Sequence, residues 1–201
     1  MAAGRLAGAV AVALLGLLAG ACNTPSPSIP QATQGSALDA TACATLIRAV
    51  DLASDDSVFG VDRCRFTAAG AEAASSVLAA NASGDARWAA LWVYASAGSD
   101  PAPLRPYLTS DDPTSRVMAA AAVVAFGDRS GFDALAAAIG VEDQLAGSKP
   151  PVSIGAFAAG ALASSIDGDE IPTDEAAWPA WLAAHAASLG YDDSAATWRL
   201  P

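Results

Sequence analysis

Few residues of this 201-residue chain could do chemistry, and those few are scattered. Two pairs of adjacent acids, Asp111-Asp112 and Asp192-Asp193, have the side-chain type that glycan hydrolysis uses. That reaction needs two carboxylates at a set spacing across a cleft. Adjacent acids usually belong instead to caps and turns. His185 is the only histidine and Lys149 the only lysine; His185 reads as a cap or surface residue rather than a catalyst. The cysteines at positions 22, 43 and 64 form no Cys-x-x-Cys pair. No metal-ligand set and no cofactor signature is visible, and the chain reads as a non-enzyme.

Charge narrows the partners. Lys and Arg number 10 against 21 Asp and Glu, a net charge of -11. Phosphate binding needs clustered Lys and Arg, so nucleic acid is excluded as a partner. The same balance argues against adhesion to anionic lipid through a basic face.

The N-terminal run "MAAGRLAGAVAVALLGLLAGACN" carries one positive charge, Arg5, then an uncharged stretch rich in Ala, Leu and Val from Leu6 to Leu18. Small residues and Cys22 follow. This is the anatomy of a secretory signal peptide. The apolar stretch falls short of the roughly 20 residues needed to span a bilayer.

"LAGAC", Leu18 to Cys22, resembles the lipobox of bacterial lipoproteins. In that family the cysteine receives a diacylglycerol thioether and the chain is cut just before it. The resemblance implies a cleaved segment 1–21 and lipidation at Cys22. It departs in one place: Ala19 stands where the family most often has leucine, which occurs here one position earlier as Leu18. A cleaved, freely secreted protein is the alternative. Cleavage would remove Arg5 and no acid, so -11 becomes -12. Residues 22–37 then form the lipidated cysteine and a tether, rich in Pro, Ser and Thr and without charge. Fourteen residues of tether reach about 45 Å at full extension.

With Cys22 assigned to lipid, Cys43 and Cys64 remain, and an even count in an exported chain suggests a disulfide. Two free buried thiols are the alternative. The segment between them reads as a helix over Thr45–Ala53, a turn and a short extended piece ending at "RCRF".

The remaining chain repeats itself. In "SRVMAAAAVVAFGD", counting Arg116 as zero, Ala119, Ala120, Val123, Phe126 and Gly127 fall at +3, +4, +7, +10 and +11, one helical face. Asp111, Asp112 and Pro113 signal its start, and Gly127 is its C-cap candidate. A shorter helix is expected over Ser130–Ile139. Counting from Arg87 instead, Ala90, Leu91, Tyr94 and Gly98 fall at +3, +4, +7 and +11, with a second helix expected over Asp100–Leu108. Arg87 to Arg116 is 29 residues, as is Gly98 to Gly127. A degenerate third copy starts at Gly155, after the longer insertion "GVEDQLAGSKPP". Paired helices at this period predict an α-solenoid.

The arginine, the Ala-Ala-x-Ala-Leu run and the closing Gly-Asp resemble HEAT-like repeats, including the short kind named after the bilin lyases. The resemblance covers about residues 84–168. It implies an all-α fold, a short right-handed solenoid of helix pairs with helical caps. In that family the arginine braces one repeat against the next through a carboxylate, the role implied here for Arg87 and Arg116. Nothing suggests a chromophore site, and one histidine excludes the several His-Glu pairs of HEAT-fold metalloenzymes.

Residues 38–83 read as an N-terminal helical cap, with a helix over Thr67–Ser83, and residues 169–201 as a C-terminal cap. Thr173 with Asp174 and Glu175 signals a helix start, and Pro179 a kink or first turn. Trp178, Trp181, Tyr191 and Trp198 crowd this end. They either seal the last apolar face or line an aromatic groove for a peptide or glycan. The expectation is a lipid-anchored, extracytoplasmic scaffold that binds an envelope protein. An envelope enzyme accessory and a glycan- or small-ligand-binding lipoprotein are the alternatives.

Overall fold

Asp112 starts the central helix. Its carboxylate accepts the Ser115 amide at 3.1 Å, and Pro113 sits in the first turn, where an amide would have no partner anyway. The alanine-rich run then carries the helix to Ala125. The computed structural model describes residues 38–168 and 170–201. The leader, Cys22 and the tether lie outside the described residues.

The described chain is mostly helical. Its α-helices are α1 (Ala40–Arg48), α2 (Asp55–Asp62), α3 (Ala68–Ala79), α4 (Gly84–Ala97), α5 (Pro113–Ala125), α6 (Phe132–Ala138), α7 (Ile154–Ser165) and α8 (Trp178–His185). A small sheet joins β1 (Ile166–Asp167), β2 (Gly190–Asp192) and β3 (Thr197–Arg199) in the order β1-β3-β2. β3 is parallel to β1 and antiparallel to β2. The helical content fits the expected all-α class, and the small sheet is an addition the sequence pattern did not signal. It arises because the segment after α8 returns beside the end of α7, where Ile166 pairs with Trp198.

Helix α5 answers why so long a stretch is built from small apolar residues. Ala119, Ala122 and Val123 belong to a core shared with α1 to α4. Val117, Ala120, Ala121 and Val124 belong to a second core shared with α6, α7, α8 and β3. A helix apolar all round is one buried all round. Small side chains let partners close in on both flanks.

Several boundaries differ from expectation. Helix α1 begins five residues before Thr45, because Asp39 accepts the Ala42 amide at 2.8 Å and caps the chain there. The piece expected to be extended is helix α2. Ser54 is its N-cap, and Asp55 and Asp56 occupy its first turn, where the helix dipole favours acids. The second element of the first repeat is not an α-helix but turns and a 3-10 segment, Arg105–Thr109. Pro101, Pro103 and Pro106 cannot donate to an α ladder.

The two glycines at matching repeat positions do different work. Gly127, with φ of +80°, closes α5. The Asp128 amide donates to Val123 and the Gly127 amide to Val124, a Schellman ending. Gly98 has an ordinary extended backbone; a Cβ there would meet the Tyr94 ring at 2.7 Å. Close approach, not left-handed backbone, requires glycine at Gly98.

Candidate interaction surface

One member of each acidic pair, Asp112 and Asp192, serves a cap or a turn. Burial pushes the Asp112 carboxyl up, but hydrogen bonds from Ser115, the Trp88 indole and the Thr114 and Ser115 amides outweigh it and hold the group below the ordinary carboxylate range. The Trp88 Nε1 donates at 2.6 Å and the Ser115 Oγ at 2.5 Å. Asp192 accepts the Ser194 amide at 2.9 Å and its hydroxyl at 2.6 Å, closing the turn between β2 and β3. Asp111 and Asp193 are exposed. A shallow depression of about 400 Å³ is lined by neither pair but by Ile139, Gly140, Asp174, Glu175, Ala176 and Pro179. Among the described residues no group of three or more His, Cys, Asp or Glu could hold a metal ion. No described helix is long and apolar enough to cross a membrane.

Cys43 and Cys64 form a disulfide, with Cα atoms 5.8 Å apart and both sulfurs inside the first core. The bridge ties α1 to the segment that enters α3. That junction is tight. A Cβ on Gly70 would meet the Cys64 carbonyl oxygen at 1.9 Å, and the Thr67 hydroxyl donates to the same carbonyl at 2.8 Å.

Arg87 and Arg116 do not brace the repeats through carboxylates, which corrects the role implied by the family. The Arg87 Nε donates to the Ala82 carbonyl at 2.7 Å, and its guanidinium lies 5.8 Å from the Tyr107 ring centroid. Arg116 donates to the Ser110 carbonyl. Each therefore fastens the loop leading into its own helix. The ion pair between successive copies is Arg105 to Asp128, at 2.7 Å. A repeat-position pattern could not find it, because Arg105 lies in the proline-rich segment that the copies do not share.

The C-terminal aromatics face inward. Trp178 and Trp198 are each 2% exposed and cannot line a groove. The Trp198 Nε1 donates to the Val124 carbonyl at 2.9 Å, and the Tyr191 hydroxyl donates to Ala125 at 2.8 Å. These carbonyls lie at the end of α5, past its regular ladder, and the Val124 carbonyl also accepts the Gly127 amide. The Tyr191 ring rests on Gly127, where a Cβ would come within 2.6 Å. Phe132 meets Trp198 edge-on at 5.1 Å between centroids. Half-buried Trp181 lies against Trp178 at 5.7 Å and against His185 at 4.8 Å. Of the four aromatics singled out in the sequence, only Trp181 and Tyr191 keep partial exposure. His185 is the last residue of α8, half-buried beside Trp181.

Exposed rings lie at the other end. Phe59 on α2 is 69% exposed and Phe66 54% exposed, the large apolar residues most open to water among those described. Beside Phe66, the Arg65 guanidinium lies 4.7 Å from the Phe66 ring centroid and 4.4 Å from that of Trp92. Its Nη1 pairs with Asp62 at 2.7 Å, and its Nε donates to Ser96 at 3.3 Å. Sequence reasoning missed this group. Its signal was "RCRF", two cations and a ring around one cysteine. The most exposed rings among the described residues therefore lie at this end, not at the tryptophan-rich end. No family model, curated protein or solved structure matches the chain.

Proposed function

We propose that the chain is an extracytoplasmic lipoprotein, lipidated at Cys22, whose helical domain is a non-enzymatic protein-binding scaffold in a bacterial cell envelope. The observation that carries the reading is the apolar leader ending in "LAGAC". The other two cysteines are joined in a disulfide, a state that persists in oxidising compartments.

We further propose that residues 84–168 form a short right-handed HEAT-like solenoid. Supporting this, α4 and α5 stand at the repeated positions, and Arg105 pairs with Asp128 across the copies. Such stacks bind partners over extended surfaces, and a net charge of -11 favours a cationic one. Of the acids singled out for catalysis, Asp112 is engaged in a cap and Asp192 in a turn, while Asp111 and Asp193 are exposed.

Two experiments test the reading. Fractionation of cells expressing Cys22→Ser should find the protein released from membranes; retention in the pellet sinks the lipid anchor. Crosslinking of the native anchored protein, followed by mass spectrometry, should recover one dominant envelope protein. Recovery of only abundant bystanders would count against a scaffold.

A further inference from the structure

Phe66 combines features that the fold does not require. Its ring is exposed, and its backbone sits at φ of +60°. A bulky residue in the left-handed region is strained, and glycine would adopt it freely. The ring's neighbour is Arg65, itself clamped by Trp92, Asp62 and Ser96. The clamp holds the ring outward rather than burying it.

The position of this corner along the chain points to its occupant. The bridge places Cys64 5.8 Å from Cys43, and Cys43 lies five residues after Leu38, where the described chain begins. Two extended residues, three residues of helical rise, the bridge and two further extended residues put Phe66 within about 25 Å of that point. Residues 23–37 separate it from Cys22 by at most about 50 Å at full extension.

Chemistry points the same way. Arg63 is exposed, and among the described residues no carboxylate lies within ion-pair reach of it. Phe59 lies four residues before it, so the two are neighbours on the surface of α2. Two nearby carboxylates are paired, Asp62 with Arg65 and Asp55 with Lys149 at 2.6 Å, whereas Asp39 and Asp51 meet only backbone amides. Asp56 remains exposed, so charge alone would not hold this corner on a membrane and the rings must contribute.

We infer that Phe59, Arg63 and Phe66 form a bilayer-docking corner. The rings enter the headgroup region, where aromatic side chains are favoured, and the Arg63 guanidinium takes a lipid phosphate. The acidic remainder is repelled from an anionic surface and turns outward. The geometry rests on the lipid anchor proposed above.

The test uses an artificial anchor, so that it does not depend on lipidation. A chain beginning at residue 22, with Cys22→Ser and an N-terminal histidine tag, is held on vesicles of phosphatidylcholine and phosphatidylglycerol by a nickel-chelating lipid. Amide hydrogen exchange is followed over residues 58–70. The expected result is several-fold slower exchange on vesicles than in buffer. Phe66→Gly should lose that protection while melting at the same temperature or higher, and Arg63→Glu should weaken it. Equal exchange with and without vesicles overturns the corner and leaves the rings to a protein partner. So does a Phe66→Gly variant that melts lower yet keeps full protection, because the ring is then structural. Failure of the anchor itself would show separately, as membrane retention of Cys22→Ser in cells.

Discussion

The two ends of the molecule solve the same problem by opposite means. The C-terminal end buries its rings: Trp178 and Trp198 fill the second core, and Trp198 and Tyr191 satisfy carbonyls at the end of α5. The N-terminal end exposes its rings, and α2 buries only Val61. A helix of eight residues with one buried side chain gains little from burial. The disulfide supplies what packing does not. A short element can thus be held either by a few large buried rings or by one covalent link. Only the second leaves its apolar side chains free for another surface.

That contrast breaks most visibly at Trp198. Trp198→Ala removes a fully buried ring and leaves the Val124 carbonyl with one fewer donor. It should cost about 3–5 kcal/mol, read as a large fall in the thermal midpoint. If the cost falls below that of losing the disulfide, burial is not what holds the C-terminal end.

Next in size is the bridge. Cys43→Ala with Cys64→Ala should cost about 3 kcal/mol, the chain-entropy value for a loop of this length. The loss should appear in chemical denaturation, with exchange fastest in α2. Mass spectrometry without reduction should find a peptide joining Cys43 to Cys64.

The caps between the two ends give a smaller effect with a defined pH dependence. Asp112→Ala should cost about 1 kcal/mol, the usual worth of an N-cap. Asp112 and Asp128 both titrate below the ordinary carboxylate range. For Asp128, burial pushes upward, but the Ser130 and Arg105 hydrogen bonds and the Arg105 charge prevail. A carboxyl with a lowered folded pKa stabilises above its unfolded value, near 4. That stability is lost as pH falls through the folded value. Acid titration of wild type should therefore show a loss of stability below about pH 4, and Asp128→Asn should flatten it.

The smallest effect sharpens the contrast from the exposed side. Phe66→Gly releases a strain of about 1–2 kcal/mol and costs glycine's extra entropy, about 0.5–1 kcal/mol. The fold should become about 0.5 kcal/mol more stable. A clear loss would mean that the Phe66 ring is part of the core.

The sequence was most legible where one residue decided one local geometry. Asp112 and Pro113 marked the start of α5, and Gly127 its end, because caps are local chemistry. The cysteine pair was legible by elimination. The strands were not. β1 has two residues and β3 three, and their pairing joins positions 32 residues apart. No alternating pattern forms over so short a length. Helix α2 was misread because Val58, Phe59 and Val61 look extended, whereas Ser54, Asp55 and Asp56 favour a helix start. The aromatic-rich end was read as open to two roles. Composition reports how many rings there are, and only packing reports which way they face.

The insertion after α6 has a mechanical consequence. Lys149 pairs with Asp55, 94 residues away, and the Gly147 backbone lies against Leu52. The Ala146 amide also donates to Thr114 at the head of α5. In a stack where each unit touches only the next, the ends fray first and unfolding spreads like a zipper. Here a clasp reaches from the insertion to the N-terminal module and ties together segments far apart along the chain. Pulled or heated, such a chain should give way in one step, as a latched frame does, rather than unpeeling from its tip.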